Sequence, residues 1–168
     1  MTISMYQASA PRFVNMLNNL SAVLDKAQAH ADAKKIDPLV FTSSRLYPNM
    51  LPFMNQVRIA CDNAKGAVAR LAGVEIPKHE DTEQNFADLK ARIAKTVAFV
   101  ESIQAAQIDG SEDQEIALKL GATEVKFKGM QYLLGFALPN FYFHATTAYG
   151  ILRHNGLELA KRDFIGNP

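Results

Sequence analysis

The stretch LPNFYFHATTAYGILRHNG, Leu138–Gly156, decides how this chain folds. Its apolar residues fall on almost every bearing of a helix, and Gly156 stands where helices commonly close. Taken with Tyr132 and Phe136 just upstream, the aromatic run Phe141, Tyr142, Phe143 and Tyr149 covers nearly the full circumference. A helix apolar all round is covered on several sides, so the run predicts a core helix with a further contact, of which a second copy of the chain is the plain candidate. A small-molecule pocket lined by Tyr142 or Tyr149 is the alternative. The helix is expected from about Met130 to Asn155, with a kink or break at Pro139, which lacks an amide proton and crowds the preceding turn.

Working outward, residues 114–129 change period. Ile116, Leu118 and Leu120 alternate with Ala117 and Lys119, and after Gly121 the residues Val125 and Phe127 alternate with Lys126 and Lys128. Alternation on both sides of a glycine turn predicts a β-hairpin inserted before the last helix. Further upstream the spacing returns to steps of three and four. Phe86, Leu89, Ile93, Val97 and Val100 predict a helix from Asp81 or Thr82 to about Gln107, with Asp81 and Glu83 as first-turn charges. Met50, Met54, Val57, Cys61, Ala64, Val68 and Leu71 predict one from Tyr47 to Ala72, closed by Gly73. Phe13, Met16, Leu17, Leu20, Val23, Leu24 and Ala27 predict one from about Ser4 to Ala33, with Pro11 at its true start or at a bend. Leu39–Tyr47 reads as a connection with a short extended piece, and 157–168 as an irregular tail docked by Phe164 and Ile165. With no repeat and no linker, the expectation is a single domain over 1–168: mainly α, an up-and-down four-helix bundle with one small hairpin.

Composition narrows the functions. Eighteen basic residues against seventeen acidic ones leave a net charge of +1, which supplies no concentrated basic footprint for nucleic acid or an acidic membrane. No apolar run reaches the roughly 18–20 residues that cross a bilayer. The opening Met1–Tyr6 lacks the pattern of a secretion signal, and Cys61, the one cysteine, cannot pair within the chain. A cytoplasmic protein is therefore expected. Cys61 falls inside an apolar stripe and reads as an inert buried thiol.

Chemistry has few places to sit. His144 and His154 share the last helix but point about 80° apart and stand about 15 Å apart along its axis, so they cannot hold one ion together. The chain has no HxxxH or HxxH pair, no GxGxxG, no P-loop and no GxSxG. His144 shares its side of the helix with Ala137, Phe141, Ala145, Ala148, Ile151 and Leu152, and Asn140 lies one turn below. Two readings of His144 stay open: a neutral core histidine with satisfied ring nitrogens, or a ligand or catalytic group.

Leu138–Gly156, with YPNMLPFMNQVRIACDNAKGAVARLAG (Tyr47–Gly73) and SMYQASAPRFVNMLNNL (Ser4–Leu20), resembles a family built on a domain of unknown function within the DinB/YfiT-like metalloenzyme superfamily. The resemblance covers nearly the whole chain. It implies a four-helix bundle, often dimeric, whose metal-binding members carry one histidine on the second helix and two on the last. There a histidine stands twelve residues before the closing glycine, with another a turn earlier. His144 matches the first position; the second is Asn140, and the second helix offers no histidine, only Asn49, Asn55 and Gln56. An amide oxygen is a weak ligand for a transition metal.

Three functions follow as alternatives. The first is a metal-dependent transferase or hydrolase, with zinc, nickel or iron on His144 and Asn140. The second is a non-catalytic, homodimeric bundle with a degenerate metal site, in which Asn140 and His144 form a buried hydrogen-bonded pair. The third binds a small molecule without metal, between walls that include Asn49, Gln56, Tyr142 and Tyr149.

Overall fold

The computed structural model describes residues 2–166. A short helix α1 (Met5–Ala8) precedes the first long one, α2 (Ala10–Lys34). The break falls at Ser9, whose φ of −118° and ψ of −84° leave the helical region while its buried hydroxyl donates 2.6 Å to the Met5 carbonyl. Pro11 follows in the first turn of α2, where a missing amide proton costs nothing. Helix α2 ends on Lys35 in the left-handed region (φ 56°), whose amide reaches back to the last carbonyls.

The connection after it is helical, not extended. Asp37 caps α3 (Pro38–Thr42) by accepting the Leu39 amide at 2.8 Å, and Pro38 takes the first helical position. The second long helix, α4 (Phe53–Ala72), starts six residues later than the apolar spacing predicts, because Pro48 and Pro52 hold the intervening chain out of helix. Gly73 closes it at φ 66°, as expected. The third, α5 (Phe86–Ser102), also starts late: Asn85 is the cap, accepting the Asp88 amide at 2.9 Å, so Asp81 and Glu83 lie in the connection. Helix α5 stops at Ser102, and the turn before Gly110 is a separate short helix, α6 (Ala105–Ile108).

Strands β1 (Glu115–Leu120) and β2 (Thr123–Lys128) form the predicted antiparallel hairpin, Ile116 opposite Phe127 and Leu118 opposite Val125, around Gly121 at φ 63°. The last helix is interrupted just ahead of Pro139. One α turn, α7 (Gly129–Tyr132), runs into a π-helical turn, Leu133–Ala137, and then into α8 (Leu138–His154). There the Leu138 amide reaches the Leu133 carbonyl five residues back, and the widened turn admits the Pro139 ring without ending the rod. Phe127 of the hairpin packs on this turn through Phe136, centroids 5.6 Å apart. A final short helix, α9 (Lys161–Ile165), occupies much of the tail; Asn167 and Pro168 lie outside the described residues. Phe164 docks edge-on against Tyr149 at 5.7 Å.

The four long helices close a ring in which α2 packs on α5, α5 on α4, α4 on α8, and α8 on α2. Their inward stripes meet in one core holding Phe13, Leu17, Leu24, Phe53, Val57, Cys61, Leu71, Leu89, Phe141 and Leu152. Phe13 meets Phe141 edge-on at 4.9 Å, which ties the first long helix to the last. Among the described residues no helix is long and apolar enough to cross a membrane.

Candidate functional site

His144 lies on the side of α8 that faces α4. Phe141, Ala145, Ala148, Ile151 and Leu152 around it are buried, while the imidazole itself is half-buried. Its Nδ1 stands 2.7 Å from Oε1 of Gln56, which is buried at the start of α4. The Gln56 amide is held in turn, because its Nε2 donates 2.9 Å to the Leu51 carbonyl. That donation fixes which end of the amide faces the histidine, and it decides the tautomer. An oxygen facing Nδ1 demands a proton on Nδ1, which leaves the lone pair on Nε2. Burial pushes the imidazole below its ordinary pKa, so this neutral form prevails at pH 7.

Asn140 does not meet His144, in place of the pair expected between them. Its Nδ2 donates 2.8 Å to the Phe136 carbonyl, inside the π turn, so the polar neighbour of the imidazole comes from α4 and not from one turn below. The late start of α4 leaves Asn49 exposed in the preceding connection. Tyr142 is half-buried edge-on to Phe141 at 5.3 Å, and Tyr149 donates its hydroxyl 3.3 Å to the Leu159 carbonyl. Of the residues marked from sequence, only His144 and Gln56 touch through polar atoms.

The donor set does not suit a zinc, nickel or iron centre. Among the described residues no group of three or more His, Cys, Asp or Glu side chains is placed to hold a metal ion. Around His144 the neighbouring polar group is a neutral amide already committed to two hydrogen bonds. One imidazole and one amide fall short of the three strong donors that hold such ions. Cys61, buried in α4, is no substitute, since burial pushes its thiol up to about 12 against weaker pulls from Thr96 and Arg92.

A second polar cluster went unread in the sequence. Glu83, expected as a first-turn charge, is buried between two guanidiniums: Arg58 Nε at 2.7 Å and Arg92 Nη1 at 3.0 Å. Arg58 also donates 2.6 Å to the Glu83 carbonyl, and Arg92 pairs with Asp62 and Asp81, each at 2.9 Å. Burial alone would raise the Glu83 carboxyl, but the hydrogen bonds from Arg92, its own backbone and Arg58 outweigh it and hold the group below the usual carboxylate range. This network clamps the 74–85 connection onto α4 and α5. A crevice of about 470 Å³ runs beside it, past His79 and Lys95. Two atoms there, His79 Nδ1 and Arg92 Nε, are buried without a hydrogen-bond partner. The cluster is a clamp, and no signal of spacing announces it, since its members come from two helices and the irregular connection between them.

A ring of four helices with a hairpin set before the last of them, and a lone imidazole where α8 meets α4, defines a helical bundle of the DinB-like class. Residues 5–165 match the family described as a domain of unknown function, DUF1993, and the chain belongs to that family. It is similar to a solved structure, a DinB family member protein from Shewanella denitrificans, at 40% identity and a TM-score of 0.88, over 97% of this chain and 92% of that one. No curated protein matches it.

Proposed function

We propose that this chain is a single-domain, cytoplasmic, homodimeric binding module that works without the metal centre of its superfamily and is not a metal-dependent transferase or hydrolase. One observation carries the reading: the imidazole of His144 spends Nδ1 on a buried glutamine at 2.7 Å, and no further strong donor converges beside it. The glutamine does for the histidine what an outer-shell partner does for a metal ligand, fixing tautomer and ring orientation. The dimer half of the proposal rests on exposed apolar side chains on the His144 side of the molecule. Phe143 stands next to His144, Leu51 supplies the carbonyl that holds Gln56, and Leu46 lies against Gly150 of the same helix.

Elemental analysis of the purified protein tests the first half. The expected result is no stoichiometric zinc, nickel or iron, and a melting temperature unmoved by chelator. One equivalent of such a metal per chain, lost in His144→Ala, overturns the reading. The solvent-accessible Nε2 of His144 favours a second reading, in which a small molecule takes the place of the partner copy on this face.

A further inference from the structure

Arg70, in the last turn of α4, pairs with no acidic side chain among the described residues. A basic residue at that position ordinarily serves the closing carbonyls of its helix. This one folds back the other way, over Gly66 one turn earlier, where an added Cβ would stand 2.6 Å from its Nη1. The three atoms nearest that Cβ position all belong to the Arg70 guanidinium. Glycine is a poor choice for a helix interior, and here it makes room for the guanidinium. Tyr132 holds the same group: Nη1 donates 3.2 Å to its hydroxyl, and the guanidinium stands 6.0 Å from its ring centroid. Nε and Nη2 have no partner among the described residues. Neither is among the buried atoms that lack one, so solvent reaches both.

Arg70 lines a crevice of about 520 Å³. It stands roughly 20 Å along α4 from Gln56, at the far end of the helix from His144. Lys65, Asp62 and Asp81 line the crevice too, but they are already paired: Lys65 with Asp62 at 3.0 Å, and Arg92 with Asp62 and with Asp81 at 2.9 Å each. Together with Arg58 and Glu83 they make a neutral unit, Arg58, Lys65 and Arg92 against Asp62, Asp81 and Glu83. Outside that unit the crevice presents Arg70, Lys78 and Glu80, an excess of one positive charge. His79 adds none, because burial and then Lys65, Arg92 and Lys95 lower its basicity against the pull of Asp62. Ile76 and Pro77 give the crevice an apolar wall.

We propose that Arg70 and Lys78 bind a small organic monocarboxylate in this crevice. Nε and Nη2, the two open groups of Arg70, lie on one edge of the planar guanidinium, and that fork matches the two oxygens of a carboxylate. Lys78 supplies the second cation, and the apolar body of the ligand lies along Ile76 and Pro77. A single negative charge balances the excess; a dianion overshoots it and meets Glu80. Gly66 is the positioning residue, because a methyl group there pushes the guanidinium from its seat. The site holds whether or not the His144 face carries a second copy of the chain.

The test uses the full chain labelled with ¹⁵N at low ionic strength, following the Arg70 Nε–H resonance by NMR while adding benzoate, benzamide or inorganic phosphate. Benzoate is expected to move that resonance saturably. Benzamide, the same shape without the charge, should bind at least about tenfold more weakly, since hydrogen bonds to a charged group are the stronger kind. Phosphate should bind more weakly than benzoate. Gly66→Ala should melt no lower than the unsubstituted protein, because alanine suits a helix better and displaces only the end of a flexible side chain, yet it should weaken benzoate at least about tenfold. Stability and binding moving in opposite directions is an outcome that a merely structural arginine would not give. An Arg70 resonance unmoved by benzoate up to its solubility limit, equal binding of benzoate and benzamide, tighter binding of phosphate, or undiminished benzoate affinity in folded Gly66→Ala would overturn the proposal. The first three of these are read on the unsubstituted protein, so the result does not depend on the variant folding.

Discussion

At the scale of single residues, two histidines resist protonation in the folded chain. His144 is held below its ordinary pKa by burial. His79 is lowered by burial first and then by the positive charges of Lys65, Arg92 and Lys95, against an opposing pull from Asp62. In the unfolded chain both return to about 6.5. Below that pH the unfolded state takes up protons that the native state refuses, so stability falls as pH drops from about 6.5 through the lowered native values; above 6.5 these two groups contribute no slope. The melting temperature should therefore decline between pH 7.5 and 5.5, and His144→Gln combined with His79→Asn should flatten that decline. A double variant with an unchanged slope would show that other groups are responsible. That His144 lies among the buried residues of the last helix was legible in sequence from its apolar stripe. Its partner was not. Helical spacing ranks neighbours on one helix, and it brought Asn140 forward, whereas Gln56 arrives from another helix 88 residues away.

At the scale of elements, the long helices could be read because each carries a single apolar stripe, and the hairpin because its period differs from theirs. The errors gather at helix starts. Apolar spacing continues through Tyr47–Pro52, and Asp81–Asn85 carries the polar residue types of a helix start, yet prolines hold the first segment and a buried charge network holds the second, and neither constraint leaves a periodic trace. That network makes a strong prediction. Glu83 neutralises two guanidiniums, Arg92 almost wholly buried and Arg58 nearly so. Removing Glu83 leaves Arg58 without its carboxylate while Arg92 keeps Asp62 and Asp81, so the loss falls at the low end of the range for a broken buried pair, about 3 kcal/mol. Glu83→Ala should lose about that much in urea unfolding. Glu83→Gln, which keeps the shape and one acceptor, should lose less. A loss near zero in Glu83→Ala would mean that the 74–85 connection is held by its apolar contacts alone. The same change should leave the tautomer of His144 intact, since clamp and imidazole share no hydrogen bond.

At the scale of the whole molecule, the exposed surface bears on self-association. A compact monomer of 18.5 kDa exposes about 8,200 Å². This chain exposes 9222 Å². The second strand of the hairpin is largely exposed, and so are several large apolar side chains. Phe143, Leu46, Leu51 and Tyr47 are all exposed, Tyr47 by 64%, on or beside the segment that runs past α8. A twofold contact through this side would set the same residues of both copies against one another, and a standard interface needs about 800 Å² from each partner. Light scattering on the unsubstituted protein should then give a mass of about 37 kDa, twice 18.5 kDa. Phe143→Glu should give the monomer, because a carboxylate set in an apolar contact has no counter-charge. Leu134→Glu, on the π turn beside the first helix, should leave the dimer whole, although Leu134 is 53% exposed. A monomer at every concentration would remove the dimer from the proposed function. A dimer broken by Leu134→Glu and not by Phe143→Glu would move the interface to the π turn.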